Sequence, residues 1–140
     1  MLHLRLVIDT NVLISAAIKP AGLQRTALLL AITRPARLYV SQPILEEYAN
    51  VFRRPELRIP KGVQHQLLQL IDSRSHIVKP VRRLDVNRDP DDNMFLECAD
   101  AARADYLITG NQRHFPRFWK QTKVISPREF VSLAAPHLIA

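Results

Sequence analysis

The sequence is poor in the residues that mark several common classes of protein. Cys98 is the only cysteine among 140 residues, which excludes a disulfide framework and a zinc site built from several thiolates. The 3 glycines are scattered, so the chain has no glycine-rich loop for a nucleotide cofactor. The 5 histidines show no i, i+4 pair and no zinc-like spacing. Thiolate, nucleotide-cofactor and histidine-metal chemistry are therefore not expected.

Long apolar runs and acidic residues are also scarce. No stretch approaches the roughly 20 apolar residues of a membrane span, and the segment that starts at Met1 reaches Asp9 before it is as long as a signal peptide. We therefore expect a cytoplasmic protein with no membrane segment. The 20 Lys and Arg exceed the 13 Asp and Glu, giving a formal net charge of +7. This balance favours a polyanionic partner such as nucleic acid, although a basic, solvated surface would give the same balance.

The residues that are present predict a single α/β domain over residues 1–140. This length suits one core, and 47% hydrophobic with 24% charged residues is a globular composition. Short apolar runs alternate with segments of helical period. Strands are predicted over 4–8, 37–41, 76–78, 106–109 and 123–125, and helices over 12–18, 23–32, 42–52, from about 60 to 71, 92–103 and 127–135. Such alternation predicts a mostly parallel central sheet of four to five strands with helices on both faces, and an active site beyond the carboxyl ends of the strands.

Acidic residues at the ends of these elements are the first candidates for a site. Asp9 directly follows a buried strand, where it either caps the next helix or faces a cation, and its position does not decide between these roles. In the helix over 42–52, Glu47 borders the apolar face, whereas Glu46 lies on a polar stripe where a solvated salt bridge is expected. Glu47 is therefore the better candidate of the two.

A third acidic group lies in the turn from Asp89 to Asn93, which leads into an apolar helix face. The turn is typical of a helix N-terminus, and its spacing does not choose between Asp91 and Asp92 as the inward carboxylate. Three acidic groups near strand ends, in a strongly basic chain, are consistent with a site for Mg²⁺ or Mn²⁺. Lys and Arg side chains would then hold a phosphate-bearing ligand.

Four motifs follow one another along the chain: VIDTNVLISA from Val7, LEEY from Leu45, DPDDN from Asp89 and YLITGN from Tyr106. Together they resemble the PIN-domain ribonucleases, and among these most closely the VapC-like toxins of bacterial toxin–antitoxin pairs. Each motif is weakly specific alone, but all four occur in the order that the family shows. The resemblance implies a metal-dependent (endo)ribonuclease.

Carried over by motif, the resemblance makes Asp9, Glu47 and Asp92 the catalytic residues and the ligands of Mg²⁺ or Mn²⁺. It thereby favours Asp92 over Asp91. Thr109 and Asn111 fall in the polar cluster after the next strand, where many PIN domains carry a fourth carboxylate. Because Asn111 adds no charge, one cation is expected rather than two. Asn11 is expected either to orient a metal-binding carboxylate or to cap the helix.

The segment after this cluster mixes basic and aromatic side chains. Arg113, His114, Arg117 and Lys120 are candidate RNA-binding residues, with Phe115, Phe118 and Trp119 among them. The alternative is that the aromatics pack in the core while the charges are solvated. The resemblance further implies a cognate antitoxin protein and a homodimer or higher homo-oligomer.

Two other functions are compatible with parts of the pattern. A catalytically impaired PIN-fold module that binds RNA or protein is credible because Asn111 replaces a carboxylate. A phosphatase of the haloacid dehalogenase kind would need a second aspartate two residues after Asp9, where Asn11 stands, and is not favoured.

Overall fold

A six-stranded sheet flanked by helices forms the centre of the molecule. The computed structural model describes residues 3–87 and 89–139. Its strands are β1 (Arg5–Ile8), β2 (Arg37–Val40), β3 (His76–Ile77), β4 (Tyr106–Ile108), β5 (Phe118–Trp119) and β6 (Thr122–Ile125). Its α-helices are α1 (Thr10–Ile18), α2 (Leu23–Ala31), α3 (Gln42–Phe52), α4 (Lys61–Arg74), α5 (Asn93–Ala102) and α6 (Pro127–Ala134). Short 3₁₀ turns cover Pro55–Leu57, Pro90–Asp92, Gln112–His114 and Pro136–Leu138.

The order of the strands places the end of β1 where the strand order of the sheet reverses. The order is β3-β2-β1-β4-β6-β5, and every neighbouring pair is parallel except β5 with β6. The chain thus passes from β1 to β2 on one side and returns to β4 on the other. In open α/β sheets, ligands bind beyond the carboxyl ends of the strands at such a reversal of strand order.

Local sequence explains how the elements around this point begin. Leu6, Val7 and Ile8 of β1 are almost completely buried, as expected for a strand covered on both faces. The Ser41 hydroxyl accepts a hydrogen bond from the Ile44 amide at 3.4 Å and caps α3 as it leaves β2. Capping therefore starts α3 directly at the carboxyl edge of the sheet.

Most of the predicted architecture is confirmed. The α/β class and the mostly parallel sheet agree with the prediction, and the predicted helix over 42–52 matches α3. The predicted number of strands was too low, because β5 is a two-residue antiparallel strand that carries too little periodicity to be recognised. Met1, Leu2, Arg88 and Ala140, which belong to the predicted domain over residues 1–140, lie outside the described residues.

Candidate active site

Asp9 lies at the carboxyl end of β1, next to the end of β4. Its amide donates to the Ile108 carbonyl oxygen at 3.0 Å, which continues the pairing of β1 with β4. Its side chain is only 4% exposed and accepts a 2.7 Å hydrogen bond from Thr109 Oγ1 on the neighbouring strand end. Asp9 occupies the N-cap position of α1, but its side chain makes no capping bond of standard geometry. Helix capping therefore does not explain why the Asp9 carboxylate is buried.

The electrostatics of Asp9 are those of a carboxylate withdrawn from water. Burial raises the pKa of Asp9, and the Thr109 hydroxyl, the nearby amides of Thr10 and Asn11 and the charge of His114 offset this only in part. A buried carboxylate of this kind is costly unless a cation or further donors compensate it. The site can therefore gain free energy by binding a positive charge.

Glu47 approaches the same strand end from α3. It is partly exposed, and its Oε2 accepts a long 3.4 Å hydrogen bond from Thr10 Oγ1, the residue after Asp9. The next residue, Tyr48, is buried, and its hydroxyl donates to the Ile8 carbonyl oxygen at the end of β1. Tyr48 therefore anchors α3 against β1, while the Glu47 carboxylate accepts only this one long hydrogen bond from a described residue. Glu46 is exposed, as the periodicity predicted.

Asp92 supplies the third carboxylate from the turn that precedes α5. Burial and the negative charges of Asp9, Asp89 and Asp91 raise the pKa of Asp92 to about 6, against a smaller lowering by His114. Its Oδ2 is buried and makes no hydrogen bond to a described residue, and it lies 3.7 Å from His114 Nδ1. Asp91 is exposed, and its amide donates to Asp89 Oδ1 at 3.0 Å. Asp92 rather than Asp91 is therefore the inward carboxylate of this turn.

The polar residues predicted to support the site divide into two groups. Thr109 is fully buried, donates to Asp9 and accepts a 3.0 Å hydrogen bond from the Asn111 amide. Asn11 and Asn111 instead line a cleft of about 390 Å³ between α1, the loop after β4 and the start of α6. The structure thus brings these two residues to one cleft, whose described lining residues include none of the three carboxylates.

The basic segment after Asn111 is only partly directed at this site. Arg113 and His114 are exposed in the 3₁₀ turn that follows Asn111 at the carboxyl edge of the sheet, and exposed Arg117 precedes β5. Lys120 is placed differently, because its Nζ pairs with Asp100 Oδ1 at 2.7 Å in the turn that enters β6. That turn lies at the opposite edge of the sheet from Asp9. Lys120 therefore lies away from Asp9, and RNA binding by Lys120 stays a prediction.

The aromatic residues of the same segment have separate roles. Phe115 is buried in the core, and Trp119 donates its Nε1 hydrogen to Asp100 at 3.3 Å. Only Phe118 is largely exposed, with 56% of its surface accessible. The core-packing alternative therefore holds for Phe115, and Trp119 helps to hold the turn that carries Lys120.

The donor set suits a hard cation, although the ligands are not fully assembled. Within residues 3–87 and 89–139, no three acidic, histidine or cysteine side chains converge tightly enough to form a ready metal site. Asp9 and Asp92 nevertheless interact through their charges, and Asp92 Oδ2 is buried without a hydrogen bond to the described residues. Carboxylate oxygens are the ligands that Mg²⁺ and Mn²⁺ prefer. These residues fit such a cation if the loosely held Glu47 turns inward.

Sequence comparison decides the family. The PIN-domain family pattern matches residues 5–113, which include all three carboxylates. This chain belongs to the PIN-domain family. PIN domains are generally nucleases that use divalent metals. Among the residues that the structure describes, no helix has the length and apolar character needed to cross a membrane.

Two further comparisons extend over nearly the whole PIN-domain chain. The uncharacterized protein MJ1680 of Methanocaldococcus jannaschii is 33% identical over 142 aligned positions, which cover 93% of this chain and 91% of that protein. The fold is similar to the crystal structure of VapBC2 from Rickettsia felis bound to a DNA fragment from their promoter. That match has a TM-score of 0.57 and 16% identity, and it covers 87% of this chain and 98% of the other.

Three features of the site escaped the sequence analysis. They are the Thr10 to Glu47 hydrogen bond, the anchoring of Tyr48 on Ile8, and the approach of His114 to Asp92. The sequence held a signal for the first two features. Glu47 and Tyr48 are adjacent polar residues near the apolar face of one helix, which indicates that both side chains reach the same site. His114 carried no comparable signal, since its approach to Asp92 depends on the path of the loop after β4.

Proposed function

We propose that this PIN-domain protein is a Mg²⁺- or Mn²⁺-dependent endoribonuclease and the toxin of a toxin–antitoxin pair. The observation that carries the proposal is the pair of carboxylates at the reversal point of the sheet. Asp9 and Asp92 are both withdrawn from water with raised pKa values, and Asp92 Oδ2 is buried and makes no hydrogen bond to a described residue. Like charges held close together in this way favour a bound cation.

Each residue of the site has a defined task in the proposed reaction. Asp9, Glu47 and Asp92 would hold the cation, and Thr109 would keep the Asp9 carboxylate in one orientation through its 2.7 Å hydrogen bond. When bound, the cation would supply Lewis-acid chemistry that makes water more acidic and neutralises charge on the phosphate. Asn111, which lines the cleft between α1 and the loop after β4, offers amide groups that can orient water or a phosphate oxygen.

The charge of the surroundings supports a nucleic-acid substrate. The chain carries a net charge of +7, and Arg113, His114 and Arg117 are exposed on the segment that follows the site. Basic side chains at such an edge would hold phosphates on either side of the bond that is cleaved. RNA rather than DNA is proposed because the four ordered motifs resemble those of ribonucleases.

Cleavage of a mixed RNA pool by the purified protein tests the enzymatic part of the proposal. We expect cleavage in Mg²⁺ or Mn²⁺, little or none in a chelator, and slower cleavage of single-stranded DNA of the same sequence. Asp9→Asn should abolish the activity, and a variant that cleaves as fast as the wild type would identify a contaminating nuclease. Equal cleavage with cation and with chelator across a range of pH would contradict the proposal.

The proposed biological role requires a partner. The solved VapBC2 complex is similar in fold, and we propose that a small antitoxin encoded nearby binds this chain and blocks its activity. Expression of the chain alone should arrest growth, and co-expression of the neighbouring small protein should restore it. Growth arrest by the Asp9→Asn variant at the same expression level would argue against a toxin that acts by cleavage.

We also propose a homodimer or higher assembly. Size-exclusion chromatography with light scattering measures this directly, and a mass of 16.0 kDa at micromolar concentration would contradict it.

A non-catalytic RNA-binding module is the second candidate, and the observation that favours it is Asn111. This residue lines the cleft between α1 and the loop after β4 and supplies no fourth carboxylate. Calorimetry separates the two candidates, because the module would bind RNA without binding Mn²⁺ at millimolar concentration.

A further inference from the structure

A second basic surface lies at the edge of the sheet opposite Asp9. The segments that lead into β1, β2 and β3 surround a cavity of about 720 Å³, which we call the basic cavity. Its ionisable lining residues are His3, Arg34, Arg37, Arg74 and His76. No aspartate or glutamate is among the described residues that line it. The basic cavity is therefore positively charged and separate from the carboxylate site.

The positive charge of the three arginines that line the basic cavity exceeds the negative charge of the helix ends beside them. Helices α2 and α4 both end at the basic cavity, through Thr33 and Arg74 respectively. Each helix C-terminus carries a charge of roughly −0.5, so the two together supply about −1 against three guanidinium groups. The ion pairs in the described part of the chain, His114 with Asp92 and Lys120 with Asp100, include none of these arginines. A surplus of positive charge therefore remains for an anionic ligand.

The chemistry of the lining favours phosphate groups joined to flat bases. A guanidinium group presents a planar fork of donors that matches two phosphate oxygens. His76 is held against the buried Tyr39 ring, with ring centroids 5.4 Å apart, and the exposed imidazole can stack on a base. Because the cavity lies within the range of about 300–1,000 Å³ typical of sites for whole small molecules, it has room for more than one phosphate group.

We propose that the basic cavity binds the phosphodiester backbone of a single-stranded RNA substrate at a point remote from the cleaved bond. The identity of the ligand rests on the proposed ribonuclease function. Because β1 separates Asp9 from the cavity, one phosphate cannot contact both places. A long RNA can occupy the cavity and the carboxylate site together, whereas a dinucleotide with its single phosphodiester cannot.

RNA binding without cleavage is the first test. Fluorescence anisotropy in a chelator would follow a labelled RNA of about 30 nucleotides, which is longer than the stretch that single-strand-binding folds cover. The Arg37→Ala/Arg74→Ala variant of the full chain should bind this RNA on the order of tenfold more weakly at moderate salt. Its plot of log affinity against log salt should be shallower by about 1.4, because two phosphate contacts are lost.

A matched variant controls for the loss of charge. Arg54→Ala/Lys61→Ala also removes two exposed cations, but neither residue lines the cavity. It should bind RNA within about twofold of the wild type, since distant surface charges are screened by salt. Equal weakening by both variants would mean that net charge alone attracts RNA, and it would overturn the proposal. Displacement of the RNA by AMP or by polyglutamate at equal concentration of anionic groups would overturn it in favour of a nucleotide or an acidic protein.

Cleavage assays separate this inference from the proposed function. In Mn²⁺, Arg37→Ala/Arg74→Ala should raise KM for the long RNA and leave cleavage of a dinucleotide unchanged. If no protein cleaves RNA but the cavity variant alone binds it more weakly, the inference stands and the ribonuclease proposal fails. If wild type and cavity variant cleave and bind the long RNA equally, the ribonuclease proposal stands and the inference fails.

Discussion

Ionisation of Asp92 should destabilise the cation-free protein. Burial and the negative charges of Asp9 and Asp89 raise the pKa of Asp92 from 3.8 to about 6. The folded protein therefore holds this proton more tightly than the unfolded chain does. Stability from this group is present at low pH, is lost as the pH rises from about 4 to about 6, and stays lost above that range.

The size of the effect follows from the two pKa values. The two pKa values differ by about 2, and a difference of one corresponds to 1.36 kcal/mol, which sets an upper bound of about 3 kcal/mol. Because water screens this partly exposed carboxylate, ionisation should cost the folded state about 1–2 kcal/mol at neutral pH. A single domain is stable by only about 5–15 kcal/mol, so a loss of this size is measurable. Replacement of Asp92 by asparagine removes the charge and should remove the pH-dependent loss.

Urea unfolding of wild type and Asp92→Asn in a chelator, at intervals from about pH 4 to about pH 7, measures the effect. The difference between their unfolding free energies removes the contribution of titrating groups that do not interact with Asp92, and it reports on Asp92 together with its charge coupling to Asp9. Glu129→Gln is a control for the direction of the pH dependence. Hydrogen bonds from Ser126 lower the pKa of Glu129, so ionisation of this group stabilises the folded protein as the pH rises. A difference between wild type and Asp92→Asn that stays constant over this range would refute the reasoning.

A cation should reverse the loss in the wild type. A ligand at 100 times its dissociation constant stabilises the folded state by about 2.7 kcal/mol. Saturating Mn²⁺ at neutral pH should therefore restore most of the stability that ionisation of Asp92 removes. The Asp92→Asn variant should gain much less, and an equal gain would place the cation elsewhere.

Three smaller predictions concern the surroundings of the carboxylates. Thr109→Val removes the donor to Asp9 and the acceptor of the Asn111 amide, so urea unfolding should show a loss of about 1–3 kcal/mol that Thr109→Ser largely avoids. Tyr48→Phe removes the donor to the Ile8 carbonyl and should cost about 1 kcal/mol of stability while RNA cleavage stays within about threefold. Asn111→Asp adds a carboxylate at the cleft and should raise the number of Mn²⁺ ions bound from one to two, as counted by electron paramagnetic resonance. A variant that still binds one ion would contradict that assignment.

The sequence was informative wherever a local pattern determines the structure. A short apolar run, broken by Arg5 and followed by Asp9, predicted a buried strand ending in a carboxylate, and Asp9 is only 4% exposed in the structure. The helical period in residues 42–52 placed Glu47 nearer the core than Glu46, and Glu46 is the more exposed. Both predictions depend only on the repeat of side chains along one element.

Contacts between distant segments were not accessible in the same way. Spacing could not choose between Asp91 and Asp92, because both fit the inward side of α5, and the choice depends on the bend of the 3₁₀ turn before it. Likewise, Lys120 follows the site closely in sequence but lies at the far edge of the sheet, because the short strand β5 leads the chain away before β6 returns. Proximity along the chain was therefore a poor guide to proximity in space.

The rate of RNA cleavage in Mn²⁺ tests the central proposal most directly when it is compared within two pairs of variants. One pair replaces Glu47 or its neighbour Glu46, and the other replaces Asp92 or its neighbour Asp91. Glu47→Gln and Asp92→Asn should each lose at least about 100-fold in rate, which corresponds to about 3 kcal/mol of transition-state stabilisation. Glu46→Gln and Asp91→Asn change the same chemical groups one residue away, where the side chains are exposed, and should stay within about threefold of the wild type. Equal rates within each pair would contradict a catalytic site built on Asp9, Glu47 and Asp92.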